Sequence, residues 1–341
     1  MSMLKTTPNQ EATQKIRELT LAQAVREALA EELRRDPTVF IMGEDVAEAG
    51  TPFKVLSGLV EEFGPARIID SPISEAGITG LGVGSAMTGM RPVIDIMFGD
   101  FLTLAMDQIV NQAAKVHYMS GGKLKVPLVV RTTLGATRRS AAQHSQSLHA
   151  WVSHVPGLKV VLPSTPYDAK GLLKTAIRDD NPVVFFEDKM MYQQKGPVPE
   201  GDYTIPFGVA DIKRSGTDIT LVATSSMVQI ALAAAQELEK LEISAEVIDP
   251  RTTSPLDKQT LIDSTKKTSR AVVIDEGYES YGVTAELAAV IAEGAFYYLD
   301  APVKRLGAMD VPVPFSPVLE DLTVPTTETV IEVVKTLCGR A

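Results

Sequence analysis

Short runs of aliphatic and β-branched residues alternate with segments of helical spacing along almost the entire chain, and few folds accommodate that alternation. Thr38–Met42 (TVFIM), Arg67–Asp70, Arg91–Met97, Pro127–Arg131 (PLVVR), Lys159–Leu162 (KVVL) and Pro182–Glu187 (PVVFFE) read as strands. Between them lie a helix opening at a Thr20 cap and stopping at Asp36-Pro37, a Gly- and Ala-rich helix over Ala76–Met90, a helix through Leu102–His117, and another in YDAKGLLKTAIRDD. Strands without in-out alternation are covered on both faces, so the pattern predicts an α/β fold built on a mostly parallel sheet.

Lys, Gly, Pro and acidic residues replace the apolar runs around Gln193–Arg214, and a second series follows. It has strands at Asp218–Ala223, Ala245–Ile248 and Ala271–Ile274, and helices at Met227–Leu241, Val283–Glu293 and Thr327–Leu337. A chain of 341 residues exceeds what one core usually serves. The expected division is a polar arm at 1–17, a first domain at 18–192, a linker at 193–206 and a second α/β domain at 207–341.

A formal net charge of −10 argues against nucleic acid and against an anionic membrane surface as partners. The single cysteine, Cys338, leaves no disulfide framework and no cysteine metal cage, which fits a reducing cytoplasm. No apolar run is long enough to span a bilayer. Of the four histidines, His144, His149 and His154 stand five apart rather than at a helical i, i+4 spacing, which speaks against a metal pair; His117 reads as structural.

The stretch Asp70–Phe101 (DSPISEAGITGLGVGSAMTGMRPVIDIMFGDF) places one carboxylate, Glu75, among small and apolar residues. A lone helix-start acid only complements the helix dipole, whereas a buried one needs a partner. Gly77, Gly80, Gly82 and Gly84 miss the G-x-G-x-x-G register, since Ser85 or Met87 stands where its last glycine is required. Close helix packing is the better reading of these glycines.

That stretch, with Val110–Gly122, Ala141–Gln146 (AAQHSQ), Pro156–Pro163 (PGLKVVLP), Asp249–Asp257 (DPRTTSPLD) and Ile274–Gly277 (IDEG), resembles the β subunits of thiamine-dependent 2-oxoacid dehydrogenases. Those proteins are relatives of the pyrimidine-binding and C-terminal domains of transketolase. The likeness runs from about Glu18 to the C-terminus. Within the family it is greatest to acetoin dehydrogenase β subunits, through Gly50–Leu59 (GTPFKVLSGL), Arg131–Trp151 and Phe186–Tyr192 (FEDKMMY).

The resemblance implies two domains, a thiamine pyrimidine-binding parallel-sheet domain and a transketolase C-terminal-like α/β domain. It implies that Glu75 hydrogen-bonds N1′ of the aminopyrimidine of thiamine diphosphate and that Phe101 and Met97 line the same pocket. Glu44, at a predicted strand end, matches an acid on the pyrimidine side and reads equally as a solvated turn acid. His144 matches an active-site histidine that assists the intermediate or gives a proton to lipoyl sulfur. Leu128, Ala176, Asp179 and Asn181 match positions that bind a structural potassium ion in some relatives, and read equally as a helix-ending turn before Pro182.

Thiamine enzymes hold the diphosphate and its magnesium with a GDG motif, and this chain has only GDF at Gly99–Phe101 and GDY at Gly201–Tyr203. The resemblance therefore implies an α subunit that carries the phosphate half, in an α2β2 heterotetramer serving a lipoyl-bearing acyltransferase. The expected activity is cleavage of acetoin, with pyruvate or a branched-chain 2-oxoacid as the alternative substrate. A non-catalytic scaffold and a nucleotide-dependent oxidoreductase are the rivals from other classes.

Overall fold

The structure is a computed structural model and describes residues 15–340. The arm expected at 1–17 lies mostly outside the described residues; Ile16 and Arg17 belong to a strand. In chain order the first series is β1 (Ile16–Thr20), α1 (Leu21–Arg35), β2 (Val39–Gly43), α2 (Leu59–Phe63), β3 (Ile68–Asp70), α3 (Glu75–Met87), β4 (Arg91–Ile96), α4 (Leu102–Asp107) and α5 (Ala114–Met119). It continues with β5 (Val129–Leu134), α6 (His149–Ser153), β6 (Lys159–Val161), α7 (Pro166–Arg178), β7 (Val183–Asp188) and β8 (Lys195–Pro199). The second series is β9 (Asp211–Arg214), β10 (Ile219–Ala223), α8 (Met227–Glu239), β11 (Ala245–Asp249), β12 (Thr252–Ser254) and α9 (Lys258–Thr268). It ends with β13 (Ala271–Tyr278), α10 (Val283–Ala295), β14 (Lys304–Ala308), α11 (Pro317–Glu320) and α12 (Thr327–Leu337).

Local chemistry explains the boundaries. Thr20 caps α1 through a reciprocal box with Gln23, and Asp36 closes the helix. The face carrying Leu21, Ala24, Val25, Ala28 and Leu29 is buried. The helix expected through 102–117 is continuous but takes a π turn over Gln108–Ala113 between α4 and α5.

Seven strands form the first sheet in the order β12-β6-β7-β5-β4-β2-β3, all parallel except β12. Cores on both faces cover it. The chain leaves β2 for β3 on one side and returns to β4 on the other, so the C-terminal ends of β2 and β4 flank a topological switch point. Open α/β sheets bind ligands in the crevice at such a point. The second sheet has the order β14-β13-β10-β11-β9, with β9 antiparallel.

The segment expected as a linker at 193–206 contains β8, which pairs antiparallel with β1. Strand β12 also departs from expectation, because it leaves the second series to pair with β6 of the first sheet. Helix α9 was hidden by its polarity: it buries Ser264, Thr265 and Thr268 and satisfies them by hydrogen bonds, Ser264 and Thr268 to Thr220 and Ser264 also to Glu246.

Among the glycines of α3, packing is decisive at Gly82. A Cβ there would lie 2.6 Å from Ile94 Cγ1 and 3.2 Å from Leu128 Cδ1, whereas at Gly84 it would meet nothing within 4 Å. Gly82→Val should cost about 1–3 kcal/mol by overpacking. Gly84→Ala should be neutral or stabilising by up to about 1 kcal/mol through helix propensity. Urea unfolding of the two variants tests this contrast.

The two domains meet on buried charges. Lys213 Nζ lies 2.6 Å from Asp168 Oδ2, and the Arg251 guanidinium reaches Asp168 Oδ1 at 2.7 Å. Burial pushes the Asp168 carboxyl up, but Lys213 and Arg251 outweigh it and hold the group below its usual range. Asp249, beside Ser164 and Lys213, is pushed up to about 6 by burial, with Lys213 opposing and the like charge of Asp168 adding. A raised folded-state carboxyl contributes stability at acid pH that is lost as pH rises through its folded value. Asp249→Asn should therefore remove a decline in unfolding free energy of about 2–3 kcal/mol between pH 4 and pH 7. Denaturant midpoints across that range, wild type against variant, give the comparison.

Candidate active site

Strands β2 and β4 run unusually close where β2 ends. A Cβ on Gly43 would fall 2.6 Å from the carbonyl oxygen of Asp95, and glycine permits the approach. The next residue, Glu44, enters the crevice, and its Oε1 is buried with no hydrogen-bond partner. Burial first and the negative charge of Glu75 second push the Glu44 carboxyl above its usual range. Glu75 is the first residue of α3, set by the Ser74 cap whose Oγ accepts from the Gly77 amide at 3.3 Å, and only 8% of it is exposed. Two acids thus face one another at the switch point, and one of them has an unused buried oxygen. Such an arrangement calls for a polar ligand.

The neighbouring strand β4 leads into the aromatic part of the site. The Met97 carbonyl accepts from Thr133 Oγ1 at 2.9 Å, and the chain then turns through Phe98 to Phe101. The His144 ring lies edge-on to Phe98 at 4.8 Å and to Phe101 at 5.2 Å between centroids. The loop bearing His144 is fastened from below. Lys189 Nζ donates to the His144 carbonyl oxygen, and Asp100 Oδ1 accepts from the Gln146 amide at 3.2 Å and from its Nε2 at 2.9 Å.

Beneath Met97 the sheet carries a buried ion network. Arg131 pairs with Asp95 and, at 2.5 Å, with Glu187. Burial pushes both carboxyls up, and Arg131 offsets that only in part.

The structure places Glu44 and Glu75 as neighbours at the crevice, Met97 directly after β4 with its carbonyl held by Thr133, and Phe101 against His144. The potassium candidates stand apart, at the entry to β7. The Leu128 carbonyl accepts from the Val183 amide, the Asp179 carboxylate is engaged by Lys159 and Asn181, and Arg91 donates to the carbonyls of Ile177 and Asp179. The Ala176 carbonyl accepts from the Asp179 amide at 3.3 Å, so Ala176, Asp179 and Asn181 belong to the turn that ends α7. Among the described residues no group of three or more His, Cys, Asp or Glu could hold a metal.

Two further histidines serve the fold: His149 Nε2 pairs with Asp275 of the second domain at 3.0 Å, and His117 Nδ1 contacts the Leu124 carbonyl at 2.7 Å. Sequence reasoning passed over Phe98, Asp100 and Lys189. The first two lie inside the Asp70–Phe101 run and carried a signal by position. Lys189 lies in Phe186–Tyr192 with nothing in its spacing to show that it is buried.

Comparison with known proteins decides the family. Residues 17–195 match the model of the transketolase pyrimidine binding domain, and residues 208–330 that of the transketolase C-terminal domain. The chain is 49% identical over 335 residues to the acetoin:2,6-dichlorophenolindophenol oxidoreductase subunit beta of Bacillus subtilis (strain 168), covering 95% of this chain and 98% of that one. It is 50% identical over 321 residues to the pyruvate dehydrogenase E1 component subunit beta of Rickettsia felis, covering 94% and 98%. The chain belongs to the family of E1 β subunits. This is the family of thiamine diphosphate-dependent oxidoreductase subunits that the sequence motifs indicated.

A solved structure described as a split gene transketolase, inactive beta4 tetramer, superposes with a TM-score of 0.76 at 22% identity, covering 94% of this chain and 98% of that one. It bears out the two-domain α/β fold. In an E1 β subunit, the crevice at β2 and β4 belongs to the pyrimidine-binding domain, whose match spans every crevice residue named above.

Proposed function

We propose that this E1 β subunit serves an acetoin dehydrogenase, converting acetoin and oxidised lipoamide to acetaldehyde and S-acetyldihydrolipoamide. The observation that carries the reading is the Glu44–Glu75 pair, with its unpartnered Oε1, at the switch point of a pyrimidine-binding domain. The residues fit the pyrimidine end of thiamine diphosphate: an acid for a ring nitrogen, an orphaned acceptor beside it, and Met97 and Phe101 as apolar walls. When bound, that cofactor supplies a nucleophilic thiazolium carbon able to cleave a bond next to a carbonyl. Glu75 holds the proton at the pyrimidine N1′, which is how this chain activates the cofactor. Glu44 sits on the pyrimidine side beside Glu75, its own carboxyl pushed up by burial and by that neighbouring charge.

His144 donates a proton to the departing lipoyl sulfur as the S–S bond breaks and the C–S bond of the thioester forms. The two electrons released when the two-carbon unit is oxidised reduce the disulfide, so the transfer balances. Magnesium and the diphosphate are held by an α subunit in an α2β2 heterotetramer, and the lipoyl group arrives on an acyltransferase. Residues 18–192 and 207–341 are this chain's two functional units, and the cytoplasm is its compartment; among the described residues no helix is long and apolar enough to cross a membrane.

Identity to the Rickettsia pyruvate dehydrogenase subunit favours pyruvate as strongly as that to the Bacillus subunit favours acetoin. The motifs at Gly50–Leu59, Arg131–Trp151 and Phe186–Tyr192 support acetoin. Assaying the reconstituted α and β chains on both substrates separates the readings: acetaldehyde from acetoin is expected, and carbon dioxide from pyruvate with no acetoin turnover would overturn it.

A further inference from the structure

We propose that Lys189 is a positioning residue for His144, holding the histidine's main chain and ring in register for acetyl transfer; this rests on the role given to His144 above. Lysine is seldom fully buried, yet Lys189 is 2% exposed. Its ammonium donates to a neutral acceptor, the carbonyl oxygen of His144 itself. It also stands 5.4 Å from the ring centroid of Phe98, and the Phe98 ring lies edge-on to the His144 imidazole at 4.8 Å. One buried cation therefore contacts His144 from two directions, through its backbone and through its aromatic neighbour.

The segment leading to His144 needs such fastening. Gly135, Thr137, Arg139 and Ala141 all lie in the left-handed region, with φ of 105°, 65°, 61° and 61°. Each non-glycine residue there costs about 1 kcal/mol, and strain of this kind persists only where the surroundings over-determine it. The fastenings are visible on both sides. Glu276 Oε1 accepts from the Ala136 amide at 2.5 Å, the Glu320 carboxylate accepts from the Arg139 amide and guanidinium, and Asp100 holds Gln146. Lys189 is the anchor at His144 itself.

The charges facing Lys189 support the arrangement. Burial lowers the ammonium's proton affinity, Asp100, Glu276 and Asp188 oppose that loss, and Arg138 adds to it. A lysine needed only to neutralise these acids could sit on a carboxylate. This one is aimed at the main chain of the transfer histidine. A misplacement of about 1 Å in a reacting group can cost on the order of 100-fold in rate, so one hydrogen bond at this point has leverage.

The test uses the reconstituted α/β enzyme with Lys189→Met, Lys189→Arg, His144→Asn and the Lys189→Met/His144→Asn double variant. Each is assayed for acetoin-dependent reduction of 2,6-dichlorophenolindophenol and for acetyl transfer to a lipoyl domain. Lys189→Met should lower kcat for transfer by about 30-fold or more, with dye reduction falling at least tenfold less and KM for the lipoyl domain little changed. Lys189→Arg, which keeps charge and donor, should recover transfer to within about fivefold. In the His144→Asn background Lys189→Met should add less than about threefold, because two residues acting through one group are not additive.

Equal losses in both assays, or full additivity in the double variant, would overturn the inference. If Lys189→Met fails to assemble with the α subunit, Lys189→Gln replaces it in the same comparisons. Normal transfer by His144→Asn would remove the role of His144, whereas impaired His144→Asn with unimpaired Lys189→Met removes only the inference about Lys189.

Discussion

Glu75→Gln should reduce acetoin turnover by about 10²–10⁴-fold in the reconstituted enzyme while leaving fold and subunit assembly intact. The acid occupies the first position of α3, so its replacement costs the helix no more than about 1 kcal/mol of dipole complementarity, and the Ser74 cap is untouched. Glutamine keeps the shape and an oxygen acceptor but cannot hold a titratable proton at the ring nitrogen. The loss should therefore appear in kcat, with circular dichroism and subunit stoichiometry unchanged. Turnover within a few-fold of wild type would show that the acid at the switch point does no chemistry.

His144→Asn should separate the two halves of the reaction. Acetyl transfer to a lipoyl domain should fall by about 10²–10³-fold, and dye reduction from the same acetoin should fall far less, because only transfer to lipoyl sulfur needs the proton. The rings of Phe98 and Phe101 keep the pocket's shape when the smaller asparagine replaces imidazole. Rapid-quench measurement of acetylated lipoyl domain reads this directly. Equal losses in both assays would assign His144 to an earlier step.

Much of the architecture was legible because periodicity reports burial. The strands β2, β4, β5, β7, β10 and β13 are each built around a short apolar run, interrupted in β4 by Asp95 and in β5 by Arg131, and lie in sheet interiors, where both faces are covered. Elements that hold the molecule together by polar contacts gave no such signal. Strand β12 is TTS, and nothing local indicates that it crosses to the first sheet; α9 buries hydroxyls that Thr220 and Glu246 of neighbouring strands satisfy; β8 is the KGPVP of the segment expected as a linker. The candidate site divides in the same way. Glu75, Phe101 and His144 stand in ordered motifs, and the structure adds that Phe101 meets His144 and that Glu44 faces Glu75. The anchors Lys189 and Glu276 were out of reach, because they act across 45 residues or more of sequence and are defined only once β7 and β13 are folded against the His144 loop.

In the proposed function this chain supplies the pyrimidine half of a cofactor site whose phosphate half belongs to another polypeptide. Calorimetric titration of thiamine diphosphate and magnesium into the β chain alone, the α chain alone and their stoichiometric mixture tests it most directly. One cofactor should bind per αβ pair in the mixture, with no comparable binding to either chain alone. Stoichiometric, tight binding to the isolated β chain would contradict it.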